Sequence, residues 1–284
     1  MYTPVPVSDA YQINGVWYQN YNVQDSTGAI VEKRYMHNGA QWVEAPSKID
    51  LTKKIPSTNS GINLKKSVIN LDKCLVDLSK KSGIDMAIHC ARVACVMDFS
   101  GSMRQLYNTG AVQRVLDRLM PLGLRFDDNG AVDMWLFHNE YKRIDSITLD
   151  NFDGYVDNVA LKSGMRFGGT SYAPALNDVY SKYIIEEPSR VPAFVIFITD
   201  GSNSDKGNTN NIIKRLSEYN VFVQFVGIGN DSFDYLHRLD DLKGRRADNT
   251  GFIKVADFDK LTDDELYREL LVQYIDWLNV LGIK

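Results

Sequence analysis

The chain has 284 residues, of which 44% are hydrophobic and 24% charged, the composition of an ordinary folded protein with enough apolar material for a sizeable core. That length is nearly twice the roughly 150-residue prior for one domain, so one large domain with a small appendage is as natural as two equal ones. A net charge of -4 excludes the basic footprint that phosphate binding leaves, and no nucleic-acid partner is expected.

The first residues, Met1-Tyr2-Thr3-Pro4-Val5, lack the basic start and apolar run of a secretory signal. No later stretch reaches the ~20 apolar residues that span a bilayer, so the expectation is a cytoplasmic protein without a transmembrane segment. Cys74, Cys90 and Cys95 are odd in number, lack zinc-site spacing and sit among apolar neighbours, which reads as buried free thiols.

Residues 1-48 form a small aromatic β module. Two similar pieces, Tyr11 to Trp17 around Asn14-Gly15 and Tyr35 to Trp42 around Asn38-Gly39, each read as a hairpin. Asn-Gly supplies the positive φ angles of a tight turn, and the flanking aromatic and β-branched residues favour a pleated surface. The large aromatics Trp17 and Trp42 are expected to form the core of this β-meander. Residues 49-60, with Pro56, Ser57, Asn59 and Ser60, are a polar breaker stretch and read as a linker.

In 61-284 the pattern changes to alternating strands and helices. The apolar runs Arg92 to Met97, Ala131 to Phe137, Ala193 to Ile198 and Val221 to Val226 have strand length and suit strands covered on both faces. Helical patterns lie between and after them: Met103 to Met120, Ala173 to Ile185, Asn210 to Tyr219, Ser232 to Leu239, and a long C-terminal one. In the last, Thr262 stands as a hydroxyl cap before the acidic first turn Asp263-Asp264-Glu265. The alternation predicts an α/β domain, a doubly wound, mostly parallel sheet flanked by helices.

Three segments carry the candidate chemistry: Asp98-Phe99-Ser100-Gly101-Ser102, Gly168-Gly169-Thr170-Ser171, and Thr199-Asp200-Gly201-Ser202. The first and third follow strands, where open α/β sheets bind ligands. Taken singly each is ordinary, because Ser and Asp are common helix caps and Asp-Gly a common turn. Together, Asp98, Ser100, Ser102, Thr170 and Asp200 make a set of two carboxylates and three hydroxyls. Such hard oxygen donors suit Mg²⁺, with Mn²⁺ as the alternative, and not zinc or copper. Two acidic groups leave exchangeable positions on the ion, which an outside carboxylate could fill.

These residues resemble the metal ion-dependent adhesion site of von Willebrand factor type A domains. The stretch from Ile62 to Trp277, about three quarters of the chain, more specifically resembles the type A-like domain of bacterial tellurite-resistance and stress-response proteins. Asp240 to Asn249 and Leu261 to Tyr267 carry that further likeness. The resemblance implies that Ser100, Ser102 and, in one state, Thr170 touch the metal, that Asp98 and Asp200 act directly or through water, and that a partner's Asp or Glu completes the shell. The N-terminal module matches no domain associated with this family.

The resulting expectation is a non-enzymatic, Mg²⁺-dependent protein-interaction module in a bacterial or phage tellurite-resistance or stress-response setting. One rival is a Mg²⁺-dependent phosphotransferase or phosphatase using Asp98 as nucleophile; Ser100 and Ser102 stand where such an enzyme needs acidity, and no Ser/His/Asp or Cys/His arrangement offers another nucleophile. A second is an assembly protein that binds through the N-terminal β module. His89, His138 and His237 read as surface or packing residues, and Arg245-Arg246 as part of a solvated loop. Asp98, placed at a strand end, is expected to tolerate alanine without loss of fold.

Overall fold

The computed structural model describes residues 3–13, 16–25, 27–37, 41–44, 64–86, 89–201, 203–255 and 261–283. The linker assigned to residues 49-60 and the two Asn-Gly turns lie outside the described residues.

The N-terminal strands form one antiparallel sheet: β1 (Val5–Pro6), β2 (Tyr11–Ile13), β3 (Val16–Gln24), β4 (Ile30–His37) and β5 (Trp42–Glu44), in the order β1-β3-β4-β5 with β2 also on β3. Ile13 pairs with Val16 and His37 with Trp42, so both predicted hairpins are present. Between β3 and β4 the Asp25 carboxylate accepts the backbone N–H groups of Thr27 and Ala29, which closes that turn. Trp17 is not core: it is 48% exposed, whereas Tyr18 and Val23 are buried. Tyr21, Tyr35, His37 and Trp42 touch edge to face or tilted, with centroids 5.0–6.5 Å apart.

The larger sheet has six strands in the order β11-β10-β9-β6-β7-β8. These are β6 (Arg92–Asp98), β7 (Val132–Phe137), β8 (Tyr141–Ile147), β9 (Ala193–Thr199), β10 (Val221–Ile228) and β11 (Thr250–Val255), all parallel except the edge strand β8. Every residue of β6, β9 and β10 is buried, as continuous apolar runs covered on both faces require. One face packs on α1 (Leu64–Ser82), α3 (Ala111–Phe126) and α7 (Asp263–Val280); the other on α4 (Ala173–Tyr180), α5 (Lys206–Leu216) and α6 (Asp234–Asp240). At α7, Thr262 Oγ1 accepts the Glu265 N–H while the Glu265 carboxylate accepts the Thr262 N–H, a complete capping box.

The pattern read as one helix over Met103 to Met120 is two: α2 (Arg104–Asn108) ends at Thr109, and Gly110, at φ 70°, restarts the chain into α3. The helical pattern begun by α4 runs on through a π-helical segment, Ser181–Glu186. No helix among the described residues is long and apolar enough to cross a membrane. The three cysteines are free and buried. Because β6 is flanked by β7 on one side and β9 on the other, the chain order switches beside β6, and the loops after β6 and β9 open towards one another there.

Candidate metal centre

Asp98 is the last residue of β6 and is fully buried. Its Oδ1 accepts the Ser100 N–H at 2.8 Å and its Oδ2 accepts the Thr199 hydroxyl at 2.7 Å, the latter from the end of β9. Tyr172 shares a 3.0 Å hydrogen bond with that hydroxyl, and the Gly201 N–H reaches it at 3.2 Å. Burial pushes the Asp98 carboxyl up to about 7; the Thr199 and Ser100 hydrogen bonds pull it down and the Asp200 charge raises it further. The expectation that Asp98 stands clear of the core is therefore corrected: removing it leaves a buried hydroxyl and amide without their acceptor.

Ser100 Oγ and Ser102 Oγ lie 3.0 Å apart, both on the turn after β6. The turn is fixed from below by an aromatic stack in which Phe99 lies parallel to Phe167 at 4.1 Å and Tyr107 meets both edge on. The Tyr107 hydroxyl also donates to the Asp98 carbonyl at 3.0 Å. Such ring pairs contribute about 0.5–1.5 kcal/mol each beyond their buried area.

Thr170 arrives on a segment that pairs with this turn as a short parallel bridge. Ser100 is opposite Gly168, the Gly101 N–H donates to the Gly168 carbonyl at 2.8 Å, and the Gly168 N–H to the Phe99 carbonyl at 3.3 Å. The segment is close-fitted on its other side: a Cβ on Gly168 would stand 2.9 Å from His138 Cγ, and one on Gly169 2.5 Å from Asn139 Oδ1. Ser204 holds the Thr170 carbonyl through its N–H (2.9 Å) and hydroxyl (2.6 Å), so Thr170 is held between the β7–β8 connection and the loop after β9. Asp205 completes that clamp by accepting the N–H groups of Tyr172 and Ala173, both at 2.9 Å, at the start of α4.

Asp200 follows Thr199 directly, and its Oδ1 is buried without a hydrogen-bond partner among the described residues. A carboxylate oxygen left so is costly unless a cation or donor meets it. The orphaned oxygen, the Ser100 and Ser102 hydroxyls on the turn after Asp98 and the wholly oxygen donor set fit a small hard cation such as Mg²⁺ or Mn²⁺. Among the described residues no group of three or more His, Cys, Asp or Glu is placed to hold a metal, so a cation here relies on hydroxyls as well as carboxylates. Structure thus brings Asp98, Ser100 and Ser102 together, sets Asp200 one residue beyond Asp98's partner Thr199, and places the Thr170 segment against Ser100. Ser202 lies outside the described residues.

Thr199 and Asp205 were missed as site residues. Thr199 carried a signal, a hydroxyl at the end of a buried run, whereas Asp205 caps a helix more than 30 residues before it and gives no local sign. His138 packs against Gly168, and His89 bonds Tyr274 in the interior at 2.8 Å. Arg245 is not a solvated loop residue: its guanidinium is nearly buried and ties the Asp240 and Leu242 carbonyls to Thr250 and Asp248.

The family model vWA-TerF-like, described as the vWA domain found in the TerF C terminus, matches residues 90–282. The uncharacterized protein YcbR of Bacillus subtilis is 42% identical over 212 residues, 72% of this chain and 86% of that protein. The chain belongs to the vWA-TerF-like family. Solved structures similar to it include the manganese-loaded TRAP protein of Plasmodium vivax, at 18% identity and TM-score 0.47 over 58% of this chain and 69% of that one. Another is proximal thread matrix protein 1 of the mussel byssus with a zinc-occupied MIDAS motif, at 17% identity and TM-score 0.47 over 70% and 51%. A third is an aerotolerance-related membrane protein of Bacteroides fragilis, at 16% identity and TM-score 0.46 over 66% and 98%.

Proposed function

We propose that the protein is a non-enzymatic, Mg²⁺-dependent protein-interaction module whose cation is held by Asp98, Ser100, Ser102, Thr170 and Asp200. The observation that carries this reading is the buried Oδ1 of Asp200, unpartnered among the described residues and one residue beyond the Asp98–Thr199 pair, together with two hydroxyls 3.0 Å apart on the turn that follows Asp98. When bound, the cation supplies positive charge to a carboxylate from outside. The chain's own residues do the rest: Thr199 and the Ser100 amide orient Asp98, the Phe99–Phe167 stack steadies the turn, and Ser204 holds the Thr170 carbonyl. Membership of a family whose domains mediate protein interactions supports a partner bearing an Asp or Glu.

A phosphoryl-accepting role for Asp98 is disfavoured because the neighbouring positions that such an enzyme needs acidic are the hydroxyls of Ser100 and Ser102. Partner binding through the N-terminal sheet remains a separate reading, favoured by the exposure of Trp17. Placement in the cytoplasm and in a tellurite-resistance or stress response rests on the family resemblance.

Calorimetric titration of the metal-stripped protein with Mg²⁺ tests the proposal. One site per chain is expected, lost in Asp200→Asn and in the near-isosteric Asp98→Asn while the circular dichroism of both variants stays native. Undiminished Mg²⁺ binding by both variants would remove the assignment.

A further inference from the structure

Phe233, in the turn between β10 and α6, has φ 55° and ψ 28°, the only non-glycine residue with positive φ among those described. A bulky side chain in the left-handed region is unfavourable and persists only where its surroundings over-determine it. Three hydrogen bonds fix the turn: Asp231 Oδ1 accepts the Phe233 N–H at 2.6 Å, the Phe233 carbonyl accepts the His237 N–H at 3.0 Å, and Lys254 Nζ donates to the Asp231 carbonyl at 2.7 Å. The residue is 1% exposed, and its ring packs on Phe252 with centroids 5.6 Å apart.

That ring is seated against two glycines from different elements. A Cβ on Gly227, in β10, would lie 2.7 Å from the ring; one on Gly201 would lie 2.9 Å from the ring and 3.0 Å from the Asp231 carboxyl. Gly201, at φ 106°, directly follows Asp200, and its N–H reaches the Thr199 hydroxyl that donates to Asp98. Through this one glycine the ring bears on both carboxylates of the candidate centre, on Asp200 through the peptide bond and on Asp98 through Thr199. An interior packed this closely passes a change of side-chain volume on as displacement.

We propose that Phe233 is a positioning residue that sets the ion-size selectivity of the candidate centre, its ring being the stop against which Gly201 closes. The inference rests on the proposed function and adds to it the device that favours one ion over another. Mg²⁺ takes oxygen ligands at about 2.0–2.1 Å in near-ideal octahedral geometry, whereas Ca²⁺ takes more of them at about 2.3–2.6 Å in flexible arrangements. A loop that cannot retreat past the Phe233 ring therefore favours the smaller ion.

The test is calorimetric titration of the metal-stripped full chain with Mg²⁺ and, separately, with Ca²⁺, on the wild type, Phe233→Asn, Phe233→Leu and Leu236→Ala. Asn accepts the left-handed backbone but removes the ring, and Leu keeps apolar bulk without the ring's reach. Leu236, fully buried on α6, reports loss of packing alone. In both Phe233 variants Mg²⁺ affinity should fall roughly tenfold, the low end of what losing an outer support costs a metal site, while Ca²⁺ affinity holds, so that the ratio shifts towards Ca²⁺. Leu236→Ala should keep the wild-type ratio. Circular dichroism checks that each variant is folded; should Phe233→Asn fail to fold, Phe233→Leu decides. An unchanged ratio in the folded Phe233 variants, or the same shift in Leu236→Ala, would overturn the role of Phe233 and leave the metal reading standing. A wild-type chain that binds no Mg²⁺ would overturn the proposed function, and this inference with it.

Discussion

Asp98 sets the terms on which a cation binds. Its carboxyl is raised from an ordinary 3.8 to about 7 chiefly by burial, so between those values the folded, metal-free protein holds a proton that the unfolded chain has lost. Stability without metal therefore falls as pH rises from about 4 to 7 and levels off above, and a cation arriving below pH 7 must displace that proton. Mg²⁺ affinity should be about tenfold weaker at pH 6 than at pH 8, the ratio of ionised Asp98 at the two values, with proton release at the lower one. Equal affinities would show that Asp98 is ionised throughout. Gly168 is a second residue-scale determinant. Its missing Cβ leaves room for the rigid base of the His138 ring at 2.9 Å, whereas Gly169 faces the movable end of Asn139. Gly168→Ala is thus expected to cost about 1–3 kcal/mol and to weaken Mg²⁺ binding by lifting the Thr170 segment off Ser100, with Gly169→Ala milder in both. Denaturant melts and the same titrations check both; a Gly168→Ala protein of wild-type affinity would mean that Thr170 does not depend on this fit.

Two elements owe their position to single polar side chains. Asp205, from the loop after β9, caps α4 through the N–H groups of Tyr172 and Ala173 and so links that loop to the Thr170 segment. Asp205→Ala should cost about 1 kcal/mol, as N-cap losses do, and also lower Mg²⁺ affinity. Thr262→Ala, which breaks the α7 capping box, should cost a similar amount and leave Mg²⁺ affinity untouched, since nothing links it to the metal loops. If the two variants affect metal binding alike, the clamp around Thr170 is not what Asp205 supplies. The contrast between elements also explains what was readable in advance. β6, β9 and β10 declare themselves as buried apolar runs, and Thr262 declares the start of α7. β8 does not, because an edge strand with exposed Tyr141, Lys142 and Arg143 has no apolar run to show. The split between α2 and α3 rests on the backbone of Gly110, which a periodic pattern passes over.

At the scale of the whole molecule, the two kinds of β structure differ in how they are held. The six-stranded sheet buries large apolar clusters on both faces, while the N-terminal sheet leaves Val5, Val7, Trp17 and Ile30 about half exposed. A chain beginning at Gly61 is therefore expected to fold and to bind Mg²⁺ as the full chain does; if it does not fold, the N-terminal sheet is part of the domain's core. The doubly wound architecture was legible because burial on both faces writes itself as uninterrupted hydrophobicity. The candidate centre was legible because its donors fall in three short segments, two of them directly at strand ends. Its supports were not, since Asp205 and His138 act across distances that the sequence does not display. The most direct test of the account is the anomalous difference map of a crystal of this protein grown with Mn²⁺. The account predicts one strong peak in coordination contact with Ser100 Oγ and Ser102 Oγ, next to Asp98 and Asp200; no peak there, or a peak held by other residues, would contradict it.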